Sequence, residues 1–304
     1  MAESWSRYGR ALFAGVALVL LVGLCIPAWR HFYPATAAEG WTFRVSLSEL
    51  EKVSALLPDG AGGAYLSEEL GNGQGRLLRS LSGGTSLELE EGLSKPDGMV
   101  QYRGGIAFSQ EEGEHPVLWL ADGVVHVLFT AINVEGLATD GHHLYAIEDR
   151  KGDGRLLRYT PTTGEVSTLR DGLEEGEGVA VCPDGQVYYS EKQKGIVHAL
   201  RLEQANDPVV LDQLRQPGYL LCNGEGLWVS EDATHQARLL LWDRKNEPRV
   251  VLDHLRSAQT LVEVAPGRYL LAEQGRNRVL ELRHEGSAEK NSGRRILHAG
   301  VTSF

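Results

Sequence analysis

The chain has 304 residues, 42% of them hydrophobic, and a formal net charge of −11. That length and apolar content suit one large domain with a sizeable core. The acidic balance, with no run of five or more Lys or Arg, argues against a nucleic-acid-binding surface, which calls for a basic face.

The first predicted element is the uncharged apolar run Ala11–Trp29, whose nineteen residues match the roughly 20 that a spanning helix needs. Arg7 and Arg10 precede it, which favours residues 1–10 as a cytoplasmic tail and everything later outside; Arg30 weakens that bias without reversing it. The competing reading is a secreted domain freed from a cleaved signal, with Ala35-Thr36-Ala37 as the small-residue site. The run is long for a signal and Arg30 and His31 sit in the way, so a retained anchor is expected. Leu24 before Cys25 is too large for a lipoprotein cleavage box. Residues 30–40 then form a linker, and the exported domain occupies 41–304.

That domain repeats. Tyr65–Glu68 reads YLSE, Ala107–Gln110 AFSQ, Tyr145–Glu148 YAIE, Tyr188–Glu191 YYSE, Trp228–Glu231 WVSE and Leu270–Glu273 LLAE, at spacings of 42, 38, 43, 40 and 42 residues. A turn doublet precedes each copy: Asp59-Gly60, Gly104-Gly105, Asp140-Gly141, Asp184-Gly185, Asn223-Gly224 and Pro266-Gly267. Alternating, β-branched and aromatic runs around these turns read as strands, and Asp184-Gly185 marks a hairpin. A period near 41 with about four strands per unit is the signature of a β-propeller blade, so the expected fold is an all-β, six-bladed propeller of four-stranded antiparallel blades behind one N-terminal helix.

Blade one is expected at Val53–Leu57, Ala64–Ser67, Arg76–Ser80 and Ser86–Glu90, and blade two from Asp97 to Thr130. Blade three begins at Glu135, blade four at Glu177, blade five at Gly218 and blade six at Gln259. Either Trp41–Ser46 or Arg295–His298 supplies the strand that closes the ring. The Gly71–Arg76 run, GNGQGR, joins two strands and opens no helix, so it is not a nucleotide loop. Cys182 and Cys222 both fall nine residues before the repeated acid. In an oxidising compartment they could pair, although two small buried hydrophobes is the plainer expectation.

The x-Gly-apolar start, the Pro-Asp-Gly-type turn and the aromatic-x-Ser/Thr-acid ending resemble NHL repeats. They are also similar to the gluconolactonase, paraoxonase and strictosidine-synthase-like propellers. Ala272–Leu282, AEQGRNRVLEL, is a close NHL-like stretch, and Pro96-Asp97-Gly98-Met99 looks like a metal-binding motif of the gluconolactonase-like enzymes. The resemblance covers about residues 50–285.

Inner strands all start at one face of a propeller. Counting back from the repeated acid places Ser54, Asp97, Glu135, Glu177, Pro217 and Gln259 at these starts, so three consecutive blades present a carboxylate at one channel mouth. Gathered acids repel, and a hard divalent cation relieves the repulsion; oxygen-only ligands favour calcium over zinc. The resemblance implies the same, since the similar hydrolases hold a metal at these positions with Glu, Asn and Asp. Asp97 matches best; Glu135 and Glu177 stand where those families place Asn, and Ser54 replaces an acid. The candidate ligands of a calcium-type ion are thus Asp97, Glu135 and Glu177, with Ser54, Tyr219 and Gln259 as candidate ligand-contacting residues. The alternative is a solvated rim whose acids satisfy strand-end amides.

The repeated Glu itself is expected to hydrogen-bond turn amides. His142-His143 lies in a turn on the face away from the acids and reads as solvated. Neither a Gly-x-Ser-x-Gly elbow nor a His-Glu-x-x-His motif occurs. The leading expectation is a membrane-anchored, exported lactonase- or esterase-like hydrolase that uses a divalent metal on a small-molecule substrate, its general base unassigned. The rival is a non-catalytic binding module whose rim engages a small ligand or an envelope protein. A condensing enzyme of the strictosidine-synthase type would need a catalytic Glu in an apolar pocket, and nothing in the chain singles one out.

Overall fold

The computed structural model describes residues 2–61, 63–80 and 86–286. It divides into two compact units, residues 1–35 and the remainder. The first is an α-helix, Ala2–Phe32, whose segment Gly9–Trp29 has a mean hydropathy of 2.6 and is wholly exposed. Its length and composition suit a membrane span, and a secretory signal meets the same description.

The second unit is a six-bladed propeller, each blade an antiparallel sheet ordered from the channel outward. Blade one is Val53–Pro58, Ala64–Glu69, Gln74–Ser80 and Ser86–Ser94; blade two is Met99–Tyr102, Gly105–Phe108, Glu114–Ala121 and Val124–Ile132. Blade three is Val134–Thr139, Leu144–Glu148, Gly154–Thr160 and Glu165–Leu173; blade four is Gly176–Val181, Val187–Glu191, Ile196–Ala199 and Val209–Leu211. Blade five is Pro217–Asn223, Gly226–Glu231, Ala237–Trp242 and Arg249–Leu255, with Thr36–Ala37 added along its outer edge. Blade six is Ala258–Ala265, Arg268–Glu273 and Arg278–His284, and its outer strand is Trp41–Leu47.

The N-terminal strand therefore closes the ring. The rival closing strand, residues 295–298, lies outside the described residues.

Second strands are covered on both faces by neighbouring blades, so Leu144–Glu148, Val187–Glu191 and Gly226–Glu231 are buried throughout. Outer strands meet solvent, and Glu165–Leu173 accordingly mixes exposed and half-buried residues, with Leu173 alone buried at its end. The core is a series of inter-blade layers. Tyr102, Val117 and Phe129 pack on Leu144 and Tyr159 between blades two and three, and Val197 and Leu211 pack on Leu227 and Leu240 between blades four and five. Between blades five and six Trp41, Trp228 and Tyr269 pack together, with ring centroids 4.8–6.1 Å apart. Cys182 and Cys222, against the plainer expectation, form a disulfide that ties the inner strands of blades four and five.

Candidate functional site

The recurring second-strand ending, together with the residue that follows it, positions the mouth of the channel, and each of its residues has its own task. The inner strands of blades one, three, four, five and six begin with a β-bulge, seen as register shifts at Val53/Leu56, Val134/Leu137, Gly176/Val179, Pro217/Leu220 and Ala258/Leu261. A bulge leaves an extra residue unpaired and re-aims its side chain. The motif serine holds the backbone at the start of the inner strand: Ser67 Oγ accepts Ala55 N–H at 2.8 Å and Ser190 Oγ accepts Gly178 N–H at 2.8 Å at bulges, and Ser109 Oγ accepts Gly98 N–H at 2.7 Å in blade two. Ser109 and Ser190 also donate to the next blade, to Glu135 O at 2.8 Å and Gly218 O at 2.9 Å.

The repeated acid clamps the segment that enters its own blade. Glu68, Gln110, Glu148, Glu191, Glu231 and Glu273 accept the backbone N–H of Glu51, Ser94, Ile132, Glu174, Arg215 and Arg256 at 2.7–3.0 Å. Arginines complete four of them: Arg76 on Glu68, Arg155 on Glu148, Arg238 on Glu231 and Arg278 on Glu273. Hydrogen bonding to backbone amides is the role expected of this position.

The residue after the repeated acid is the one that reaches the mouth. In the six blades it is Glu69, Glu111, Asp149, Lys192, Asp232 and Gln274, and each donates its N–H to a residue of positive φ: Lys52, Lys95, Asn133, Glu175, Gln216 and Ser257, at 2.8–3.3 Å. These positions were not picked out from the sequence. Their signal was present, because they sit in phase with the repeat and are acidic in four blades of six.

Together the two tiers form one network. Asp97 accepts hydrogen bonds from Ser54 Oγ and Tyr219 OH, and Tyr219 OH also lies 3.4 Å from Glu135 Oε2. Carboxylate oxygens of Glu69, Asp97 and Glu111 fall within 4.8 Å of one another, as do those of Glu111, Glu135 and Asp149. Glu177 faces elsewhere: Lys192 Nζ pairs with it and with Asp232 Oδ2 at 2.7 Å, while Gln259 Nε2 donates to Asp232 Oδ1 at 2.7 Å. Blade five supplies no side chain at its bulge, where Gly218 stands, and Pro217 pairs with Glu231; Tyr219 fills the gap.

Burial and like charge dominate the electrostatics. Burial, then Asp97 and Glu177, push the Glu135 carboxyl well above its ordinary value. Burial and then Asp97 push Glu69 and Glu111 up to about 7. Burial also raises Glu177, although Lys192 opposes it, and Lys192 is in turn held protonated by Glu177 and Asp232 against its own burial. Lys95 Nζ lies 3.6 Å from Glu111. Below Tyr219 the channel is largely apolar, a cavity of about 210 Å³ bounded by Leu57, Met99, Leu137, Val179, Leu221 and Val262 among others.

No family model and no curated protein matches the chain. An X-ray structure described, by provisional assignment, as a gluconolactonase aligns with a TM-score of 0.65 at 14% identity, over 81% of this chain and 93% of that one. The chain has a gluconolactonase-like fold. At that identity the likeness concerns the fold alone. Within this six-bladed propeller the predicted positions Ser54, Asp97, Glu135 and Tyr219 converge directly, and Glu177 and Gln259 meet through Lys192 and Asp232. His142 and His143 remain in their turn, where Asp140 accepts both of their amides and holds His143 Nδ1 at 2.9 Å.

Proposed function

We propose that the channel mouth holds a divalent, calcium-type cation and that the protein is an exported, membrane-anchored hydrolase of lactones or related esters. The observation that carries this reading is the pair of oxygen-only triads sharing Glu111. Their donor set fits a hard cation. Asp97, Glu111 and Glu135 are the ligands we assign, flanked by Glu69 and Asp149. A bound cation would neutralise crowded carboxylates that burial otherwise drives towards protonation, and would polarise an ester carbonyl.

The chain's own residues do the rest. Tyr219 OH, held by Asp97, fixes one ligand and faces the bound molecule. Glu69, beside the assigned ligands Asp97 and Glu111, is the carboxylate we assign to take a proton from the attacking water. Lys192 neutralises Glu177 and Asp232 and so excludes a cation from that half of the mouth. The apolar channel beneath Tyr219 suits the hydrocarbon part of an ester. Export and anchoring are supported by the apolar N-terminal helix, with Arg7 and Arg10 in its first turns ahead of the uncharged run, and by a disulfide of the kind oxidising compartments sustain.

Calorimetric titration of the detergent-solubilised full chain with calcium, followed by a screen of lactones and aryl esters, tests the reading. Asp97→Asn and Glu135→Gln should abolish binding, whereas Glu177→Gln, whose side chain is already paired with Lys192, should retain it. Absence of calcium binding by the wild type would remove the metal. Binding without turnover of any ester would leave the rival reading, a ligand-binding propeller.

A further inference from the structure

Blade six carries a charge arrangement that the acidic mouth does not use. Its strands Arg268–Glu273, Arg278–His284 and Trp41–Leu47 lie side by side, with Arg268 opposite Arg283, and Glu281 opposite both Leu270 and Arg44. Side chains on one face of a sheet recur at every second residue, so Arg268, Arg283, Arg44 and Glu281 share a face. Three guanidinium groups thus meet one carboxylate. Glu281 is taken by Arg44 at 2.5 Å and by Arg283 at 2.6 Å. Among the described residues Arg268 has no ion pair, and its Nε is buried with no hydrogen-bond partner.

Both features are unfavourable as they stand. Like charges directly opposite one another on paired strands repel, and a buried N–H of a charged group without an acceptor carries its full desolvation penalty. Beside them is a cleft of about 340 Å³ between the last blade and the first, bounded by Arg44, Ser46, Arg268 and Glu281 on one side and by Pro58, Gly60 and Gly63 on the other. Asp59, between Pro58 and Gly60, is held by Arg79 through two bonds of 2.9 and 3.0 Å and is not available to Arg268. The cleft lies where inner strands end, on the face away from the mouth. In a chain of net charge −11 it is a local excess of positive charge.

We propose that this cleft binds a small oxyanion, a phosphate or carboxylate group, with Arg268 as its principal donor and Arg44 and Ser46 assisting. The planar guanidinium fork matches such an oxyanion. The bound charge pairs with the Arg268 guanidinium where it lines the cleft and offsets the repulsion between Arg268 and Arg283. Because Arg44 and Ser46 belong to the closing strand, occupancy also fastens the seam at which the ring closes.

The test is calorimetric titration of the detergent-solubilised full chain, in calcium-free low-salt buffer, with inorganic phosphate and separately with acetate; the two arms distinguish the two oxyanions. One-site binding of at least one of them is expected, weakened roughly tenfold in Arg268→Gln, as loss of a charge-assisted hydrogen bond implies, and several-fold in Arg44→Gln. The bound anion should raise the thermal midpoint of the wild type by more than that of Arg268→Gln at the same anion concentration. Without anion, Arg268→Gln should be at least as stable as the wild type, which a purely structural arginine would not allow. Absence of heat and of a midpoint shift with both anions at millimolar concentration, or equal binding by Arg268→Gln, would overturn the proposal. If Arg268→Gln fails to fold, unchanged anion binding by Arg44→Gln overturns it just as well.

Discussion

Glu231 shows at one residue how the propeller uses a buried charge. It accepts Arg215 N–H at 2.7 Å, Arg238 N–H at 3.0 Å and Arg238 Nε at 2.8 Å, with its side chain wholly enclosed. Removing one partner of such a set leaves the others buried and unmatched, so Glu231→Ala should cost about 3–5 kcal/mol in urea unfolding. The mouth carboxylates behave in the opposite sense. Glu69 and Glu111 titrate at about 7 in the folded chain against an ordinary 4.5, so between those values the folded state holds more protons than the unfolded one. Stability of the calcium-free protein should therefore fall as pH rises from 4.5 to 7, by an amount on the order of a few kcal/mol. Calcium should reverse that loss at pH 8 and have little effect at pH 5, where protons occupy the same oxygens; thermal midpoints at the two pH values with and without calcium check both statements.

At the scale of the strand, the bulges matter because glycines beside them let neighbouring inner strands approach. A Cβ on Gly98 would stand 2.1 Å from Glu135 O, and one on Gly136 would stand 2.6 Å from Glu177 O. Gly98→Ala should cost about 1–3 kcal/mol by overpacking and, by displacing Glu135, weaken calcium binding. Gly60→Ala, at φ +71 with open space around it, should cost about 1–2 kcal/mol from backbone strain alone and leave calcium affinity intact. This scale also shows what the sequence could carry. The repeat of Glu68 to Glu273 located every blade, because each copy meets an identical local demand for a clamp. Asp97 and Glu135 were legible because they open inner strands. Glu69, Glu111 and Asp149 carry only the weaker signal of recurring in phase, since an acid at or beyond a strand end looks like any solvated turn acid until the positive-φ connection is seen to turn it inward. The partition of the mouth by Lys192 was hidden for a further reason: it depends on contacts between blades four and five that no local pattern encodes.

For the molecule as a whole, closure rests on residues far apart in the chain. Trp41 stacks on His284 at 4.6 Å and meets Trp228 at 5.5 Å, joining the closing strand to the last two blades. Trp41→Ala should destabilise the propeller by about 3–5 kcal/mol in urea unfolding. Cys182–Cys222 encloses a 40-residue separation, and Cys222→Ser should cost about 4 kcal/mol on chain-entropy grounds, measured against the oxidised wild type. The closing strand also sets a timetable. Its partner strand ends at His284, so during synthesis Trp41–Leu47 must wait for some 243 further residues (284 minus 41) before its ladder can form. At roughly 5–20 residues per second that is a delay of about 12–50 s. Throughout that delay the backbone donors and acceptors of Trp41–Leu47 lack the ladder that satisfies them in the finished ring.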